Sequence, residues 1–112
     1  MENKDIEKAK AHIIVEITEY VEDSVVIKTI LKKITGSVRV ISIDKGEAFA
    51  ENVSPFDKFV QIIDGKAEIV INGKSNFLNT GQAIIIPAHS KNTVKANERF
   101  KMISTIIKSG YE

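Results

Sequence analysis

Hydrophobic and polar positions alternate over most of the chain after residue 24. The apolar positions are mostly valine and isoleucine, and clusters of Gly, Asn, Asp and Pro separate the runs. This pattern predicts short β-strands rather than helices. We predict strands over residues 25–32, 37–43, 59–63, 67–71, 75–78, 82–86, 93–96 and 100–108. With about eight to ten strands and no long helix between them, an all-β closed architecture follows.

Two dipeptides in the middle of the chain are typical of tight hairpin turns. Asp64-Gly65 and Asn72-Gly73 each stand between two β-rich runs. Both pairs favour the left-handed backbone that two-residue hairpin loops require. The sequence therefore predicts a hairpin at each pair, and a strand end at Pro87.

The first 22 residues have a different pattern. We predict that they pack on a barrel formed by residues 25–108, within one domain over residues 1–112. Ile6, Ala9 and Ile13 recur at helical spacing after Asp5, a residue suited to cap a helix. These positions predict a short helix in the first dozen residues, and the β-branched run that follows predicts a strand over residues 13–20.

Several strands are apolar at consecutive positions, as in Ile84-Ile85-Ile86. Because successive residues of a strand point to opposite faces, such strands are apolar on both sides. One side fills the barrel and the other needs a cover. We predict a homodimer packed through a sheet face. The alternative is that the N-terminal segment covers the whole face.

The composition of the chain excludes several classes of function. The 112 residues include 16 Lys and Arg against 15 Asp and Glu, so a net charge of +1 gives no general attraction to nucleic acid or to an anionic membrane. The absence of cysteine excludes thiolate metal sites and Cys nucleophiles. No signal peptide and no apolar run of spanning length is present. We predict a cytoplasmic protein without nucleic-acid or membrane partners.

The stretch from Gly46 to Gly65 resembles the first motif of the cupin superfamily, G-x5-H-x-H-x3,4-E-x6-G. The spacing of Gly81 and Pro87 resembles the second motif, G-x5-P-x-G-x2-H-x3-N. The resemblance covers residues 25–108 and implies the cupin fold, a double-stranded β-helix that resembles a jelly roll. In cupins, three His and one Glu of these motifs hold a metal ion inside the barrel.

The four metal-binding positions of this resemblance carry other residues here. Asn52 and Ser54 replace the first two His, Lys58 replaces the Glu, Asn92 replaces the third His, and His89 takes the place of the motif's glycine. Two amides, a hydroxyl and an ammonium are poor ligands for transition metals. We therefore predict no cofactor and no metal site.

If the alignment holds, Asn52, Ser54, Lys58 and Asn92 converge inside the barrel. One interpretation is a polar pocket for a small ligand, with Lys58 pairing an anionic group. The other is that these residues satisfy one another, with Lys58 reaching solvent or an acidic neighbour such as Asp57 or Glu51. Glu51 and Asp57, near the mouth, and His89, in the turn from Pro87 to Lys91, are weaker candidates. His12, the other histidine, is weaker still.

Three functions remain open at this stage. The preferred hypothesis is a metal-independent protein that binds a small, possibly anionic, metabolite. The second is a cupin enzyme, using either unusual metal ligands or metal-free isomerase or epimerase chemistry. The third is a homodimeric scaffold with a filled barrel. The sequence contains no evident nucleophile and base pair, which favours a binding protein over an enzyme.

Overall fold

The computed structural model of the chain describes residues 5–50 and 53–110. Within them it contains eight strands, and its helical structure is confined to a 3-10 turn at Ile14–Glu16. The all-β prediction is confirmed. The strands are β1 (Val25–Lys33), β2 (Gly36–Ile43), β3 (Ala48–Ala50), β4 (Lys58–Ile71), β5 (Lys74–Asn79), β6 (Ala83–Ile86), β7 (Asn92–Lys95) and β8 (Phe100–Ile107).

The long strand β4 organises the sheet. The strand order is β1-β2-β8-β4-β7-β3, with β5 and β6 also paired to β4, and every pairing is antiparallel. The first half of β4 pairs with β8 and β6, and its second half pairs with β7 and β5. Because one strand serves two sets of neighbours, the sheet curls into a barrel.

The hairpin predicted at Asp64-Gly65 is wrong, because β4 runs straight through this pair. The register with β8 shifts between Ile62 and Asp64, and Gly65 has a φ of +84°. A bulge with glycine in the left-handed region bends a strand without ending it. The hairpin at Asn72-Gly73 is confirmed, with φ values of +49° and +85° between β4 and β5.

One apolar core fills the barrel. It consists of buried residues from every strand except β1 and β3, and from the loop after β7; Val25 and Phe49 pack against it from those two strands. The core residues are Ile41, Ile43, Val60, Ile62, Ala67, Ile69, Leu78, Ile86, Val94, Ala96, Phe100 and Met102. Their alternation along each strand separates the inner face from the outer face.

The N-terminal segment does not form the predicted helix in its described part, nor the predicted strand over residues 13–20. Its polar groups bind the sheet instead. The Asp5 carboxylate accepts a hydrogen bond from the Lys32 amide (2.9 Å), and the Ile6 amide donates to the Ile30 carbonyl (2.9 Å). Because the Asp5 carboxylate binds the Lys32 amide, it does not cap a helix. The segment lies along β1 instead. No helix in the described residues has the length and apolar character of a membrane span.

Candidate functional site

Polar side chains occupy the inner face at one end of the barrel. An inner row crosses five neighbouring strands in register. It consists of Lys32, Ser37, Ile106, Lys58 and Ile86. The next row toward the core consists of Thr29, Arg39, Ser104, Val60 and Ile84. Val60 and Ile86 are core residues, so both rows face the interior, since alternate residues of a strand share a face.

An open pocket of about 340 Å³ lies at this end of the barrel. Its walls come from β1, β2 and β8 and from the residue that follows β8. The lining residues are Ile27, Thr29, Lys32, Ser37, Arg39, Ile106 and Lys108. Three of them are cationic and none is acidic. The pocket therefore combines hydroxyl groups with positive charge, a composition suited to an anion.

Lys58 adjoins this pocket, beside Ile106 in the inner row. Its residue surface is only 6% exposed. Burial, together with the nearby positive charge of Arg39, lowers the pKa of Lys58 to about 8. The ammonium form still predominates at pH 7, but it loses its proton at a lower pH than the ammonium of an exposed lysine does.

Arg39 is the second charged group on the inner face. It stands on β2 two residues before the core residue Ile41, and it is half-buried. Burial lowers its pKa, but a guanidinium keeps its proton at neutral pH. The positive charge of Arg39 lies close enough to Lys58 to add to the effect of burial on the pKa of that amine.

Sequence reasoning missed Arg39, although a signal for it was present. Arg39 lies between Val38 and Val40 and shares its face with Ile41 and Ile43, by strict alternation. A charged residue on the apolar face of a predicted strand is costly to bury without a role. Lys32 and Ser37 gave no comparable signal, because strand ends are usually polar.

The other predicted residues lie in loops around the barrel. The Ser54 carbonyl accepts a hydrogen bond from the His89 amide (2.7 Å), and the Ser54 hydroxyl accepts one from the Phe56 amide (3.1 Å). The Asp57 carboxylate accepts one from the Ala88 amide (2.8 Å). Ser54 and Asp57 thus join the loop before β4 to the loop after β6. Neither residue lines the pocket of Arg39.

His89 is exposed and has a φ of +65°. This is the left-handed region that glycine adopts at little cost. The backbone therefore has the conformation expected where the second motif carries glycine, which supports the proposed alignment. Its imidazole is not grouped with other potential metal ligands among the described residues.

Asn92 begins β7 and lies in register with Ile71. It lines a separate pocket of about 260 Å³ with Val53, Val70, Gly73, Lys91 and Thr93. Asn92 and Ser54 are not among the residues that line the pocket of Arg39, and their predicted convergence with Asn52 and Lys58 inside the barrel stays a prediction. Glu51 and Asn52 lie outside the described residues. His12 hydrogen-bonds to the Glu7 carbonyl through Nε2 (2.8 Å), within the N-terminal segment.

The residues at the metal-binding positions do not fit a transition metal. Of the four, Ser54, Lys58 and Asn92 are described, and they offer a hydroxyl, an ammonium and an amide. Arg39 adds a further positive charge beside Lys58. No group of three His, Cys, Asp or Glu side chains comes together in the described residues. The donor chemistry of this site favours an anion over a cation.

Comparison with solved structures identifies the fold. The chain superimposes on a conserved protein of unknown function from Streptococcus pyogenes with a TM-score of 0.88, at 28% sequence identity over 99% of this chain and 97% of that one. It also superimposes on a cupin superfamily protein from Desulfitobacterium hafniense, with a TM-score of 0.86 at 19% identity over 97% of this chain and 100% of that one. The chain has the fold of a small cupin domain.

A cupin 2 conserved barrel domain protein from Leptotrichia buccalis is similar at 29% identity and a TM-score of 0.81. The match covers 84% of this chain but only 46% of the other protein's length. No family model and no curated protein matches the sequence. The cupin fold is thus established by structure, while the names of these neighbours assign no activity.

Proposed function

We propose that this cupin domain binds a small anionic metabolite at the cationic end of its barrel, without a metal ion. The observation that carries the proposal is the pairing of Arg39 and Lys58 on the inner face, next to an open pocket. Arg39 and Lys32 line the pocket directly, and Lys58 adds positive charge from the adjoining strand. The hydroxyls of Thr29 and Ser37 provide uncharged hydrogen-bonding groups.

The size and shape of the pocket support a ligand of metabolite size. About 340 Å³ lies at the lower end of the range for small-molecule sites. Ile27 and Ile106 supply apolar contact on the same walls. A small carboxylate or phosphate ester with a short carbon skeleton matches this combination of cationic, hydroxyl and apolar groups.

Ligand binding is tested by thermal unfolding with a panel of small anions: inorganic phosphate, acetate, pyruvate, succinate and citrate. We expect at least one of them to raise the melting temperature, because a ligand at 100 times its dissociation constant adds about 2.7 kcal/mol of stability. For a domain of this size that corresponds to a shift of roughly 10 °C. Arg39→Met and Lys32→Ala are expected to reduce or abolish the shift.

Lys66→Ala is the matched control, because Lys66 is an exposed lysine on the second half of β4. It should leave the shift unchanged. Lys32 is exposed, so its removal does not threaten folding. If no anion in the panel stabilises the protein, or if Lys32→Ala and Arg39→Met respond like the wild type, the anion-binding proposal is wrong.

Binding is also expected to depend on pH through Lys58. Its pKa of about 8 means that the ammonium is present below pH 8 and is lost as the pH rises through that value. Anion affinity should therefore be highest at pH 6–7 and fall by about fivefold or more toward pH 9.5, since a partly screened charge contributes on the order of 1 kcal/mol. Lys58→Arg keeps the charge and should flatten the profile. Isothermal titration calorimetry measures both, and a flat wild-type profile would contradict this role for Lys58.

A metal-free acid–base reaction is the second candidate, favoured by the lowered pKa of Lys58. An amine with a pKa near the working pH suits proton transfer to and from a bound substrate. Lys58→Arg separates the two candidates, because arginine preserves binding but does not exchange protons at neutral pH. Substrate turnover that is lost in Lys58→Arg while binding persists would favour the enzyme.

A further inference from the structure

The cationic side chains that line the polar pocket lie at different depths along it. Arg39 stands in the row next to the core, where it is paired across the sheet with Thr29 and Ser104. Lys32 stands in the inner row, one step further from the core. Two residues of an antiparallel strand span roughly 7 Å, so the backbones of these two rows are that far apart. One cation of the pocket thus begins near the core and another begins nearer its outer end.

Lys108 extends the pocket one step beyond the inner row. Its amide donates to the Thr35 carbonyl (2.7 Å), which continues the register of β2 and β8 past the end of β8. Lys108 shares its face with Ile106, two residues earlier, and both line the pocket. Ser104, the partner of Arg39, comes two residues before Ile106 on the same face. The rows of Arg39 and Lys108 are therefore roughly 14 Å apart along the sheet.

An apolar wall separates the two cationic ends. Ile106 lies between Ser104 and Lys108 on one face of β8, so it stands between the row of Arg39 and the outer end of the pocket. None of the described residues that line the pocket is acidic. The order along the pocket is therefore cation, apolar contact, cation. A complementary ligand carries an anionic group at each end and a short hydrocarbon chain between them.

We propose that the ligand is a linear dicarboxylate, with one carboxylate at Arg39 and the other between Lys32 and Lys108. This inference rests on the proposed function, because it specifies the class of anion that the same pocket binds. A guanidinium suits the inner end, since it pairs with a carboxylate through two parallel hydrogen bonds. The two lysines at the outer end are exposed and have flexible side chains, which suits chains of different length.

Each end of the pocket also offers a hydroxyl group. Thr29 is paired with Arg39, and both line the pocket. Ser37 is paired with Lys32, and both line it as well. A hydroxyl donates one hydrogen bond to a carboxylate oxygen without adding charge. The pocket therefore has a cation and a hydroxyl for each of two carboxylates, whereas a monocarboxylate would use only one such set.

The first test compares three acids of five carbons by isothermal titration calorimetry at pH 7 and constant ionic strength. Glutarate has a carboxylate at each end, ethylmalonate is its isomer with both carboxylates on one carbon, and pentanoate has a single carboxylate. We expect glutarate to bind about tenfold more tightly than pentanoate and about fivefold more tightly than ethylmalonate. The reason is that only glutarate presents a carboxylate to both cationic ends.

The second test locates the outer carboxylate. Lys108→Ala is expected to lower the ratio of glutarate affinity to pentanoate affinity by about threefold, and Lys32→Ala combined with Lys108→Ala should bring it to about one. Both lysines are exposed, so these variants should keep the wild-type circular dichroism spectrum. Lys28→Ala is the matched control, because Lys28 is exposed on β1 but lies on the opposite face from Thr29. Its ratio should equal that of the wild type.

The outcomes separate this inference from the proposed function. Equal affinities of the wild type for glutarate and pentanoate, or for glutarate and ethylmalonate, would refute the linear dicarboxylate while anion binding stands. A ratio that the double variant leaves unchanged would also refute it, because the second carboxylate would then lie elsewhere. If phosphate binds through Arg39 and none of the three acids does, the ligand class is wrong. Only the failure of every anion to bind would overturn the proposed function itself.

Discussion

Gly65→Ala is expected to lower the free energy of unfolding by about 2–5 kcal/mol. Two effects combine at this position. Gly65 has a φ of +84°, and a Cβ atom there would clash with the Arg99 carbonyl oxygen and lie 3.0 Å from Phe100 Cα. The left-handed backbone costs an alanine about 1–2 kcal/mol. The contact with backbone atoms also forces β8 to move while Phe100 is completely buried, and overpacking of this kind costs a further 1–3 kcal/mol or so.

Gly73→Ala is the matched control for this prediction. Gly73 has nearly the same φ, +85°, but a Cβ atom added there would have no neighbouring atom within 4 Å. It should therefore lose only the backbone contribution of about 1–2 kcal/mol. Urea unfolding of both variants measures the difference. Equal losses in the two variants would show that the approach of β8 to the bulge in β4 contributes nothing.

Lys101→Ala is expected to release the N-terminal segment and to lower the free energy of unfolding by about 2–4 kcal/mol. The Lys101 ammonium donates to the Val15 carbonyl (2.6 Å) and to the Thr18 carbonyl (2.7 Å), and it also lies 4.9 Å from the centre of the Tyr20 ring. Charge-assisted hydrogen bonds contribute roughly 1.5–3 kcal/mol, and carbonyls left without a donor add a penalty. Alanine supplies neither the charge nor the side-chain length.

Hydrogen exchange shows whether the segment is released. In Lys101→Ala, amides of residues 14–22 should exchange much faster while those of β4 and β8 stay protected. Lys66→Ala serves as the exposed-lysine control and should change neither stability nor exchange. Unchanged protection of residues 14–22 would mean that other contacts hold the segment. One candidate is the hydrogen bond from the Tyr20 hydroxyl to the Asp64 carboxylate (2.6 Å).

The strands were predictable because their causes are local. Alternating Val and Ile residues place β2 at Gly36–Ile43, against a predicted 37–43, and β8 at Phe100–Ile107, against a predicted 100–108. The short strand β3 was not predicted. It has only three residues, and its pairing with β7 rather than its own composition defines it.

The two glycine dipeptides show where local reasoning fails. Asp64-Gly65 and Asn72-Gly73 have the same turn chemistry, and both glycines adopt positive φ. Asn72-Gly73 reverses the chain, whereas Asp64-Gly65 only bends β4. The difference comes from the neighbours, because β8 pairs with β4 on both sides of the bulge and holds the strand on course. No dipeptide signal carries that information.

The helix and the strand predicted in the N-terminal segment were wrong for a related reason. The spacing of its apolar residues suits a helix. In the structure, however, the Asp5 carboxylate accepts a hydrogen bond from the Lys32 amide, and the Ile6 amide donates one to the Ile30 carbonyl. An isolated helix of about a dozen residues is marginal in water. Hydrogen bonds to a preformed sheet edge therefore outweigh the local preference.

For the candidate site, the sequence identified the cupin resemblance, the replacement of its metal ligands and Lys58 as an inward-facing cation. The tertiary structure added Arg39, Lys32 and the pocket that they line, and Asn92 and Ser54 are not among the residues that line it. Glu51 and Asn52 lie outside the described residues, so their part in ligand binding stays a prediction, as does that of Lys58.

The sequence by itself determined the β-class, most strand positions and the loss of imidazole and carboxylate donors from the motifs. Each of these depends on residue type and on spacing along a few neighbouring positions. Only the tertiary structure decided that β4 is continuous, that Lys58 lies beside Ile106, and that burial and the nearby Arg39 lower the pKa of Lys58. Those facts depend on the register between strands distant in sequence, where burial of the whole inner face outweighs the preference of any single segment.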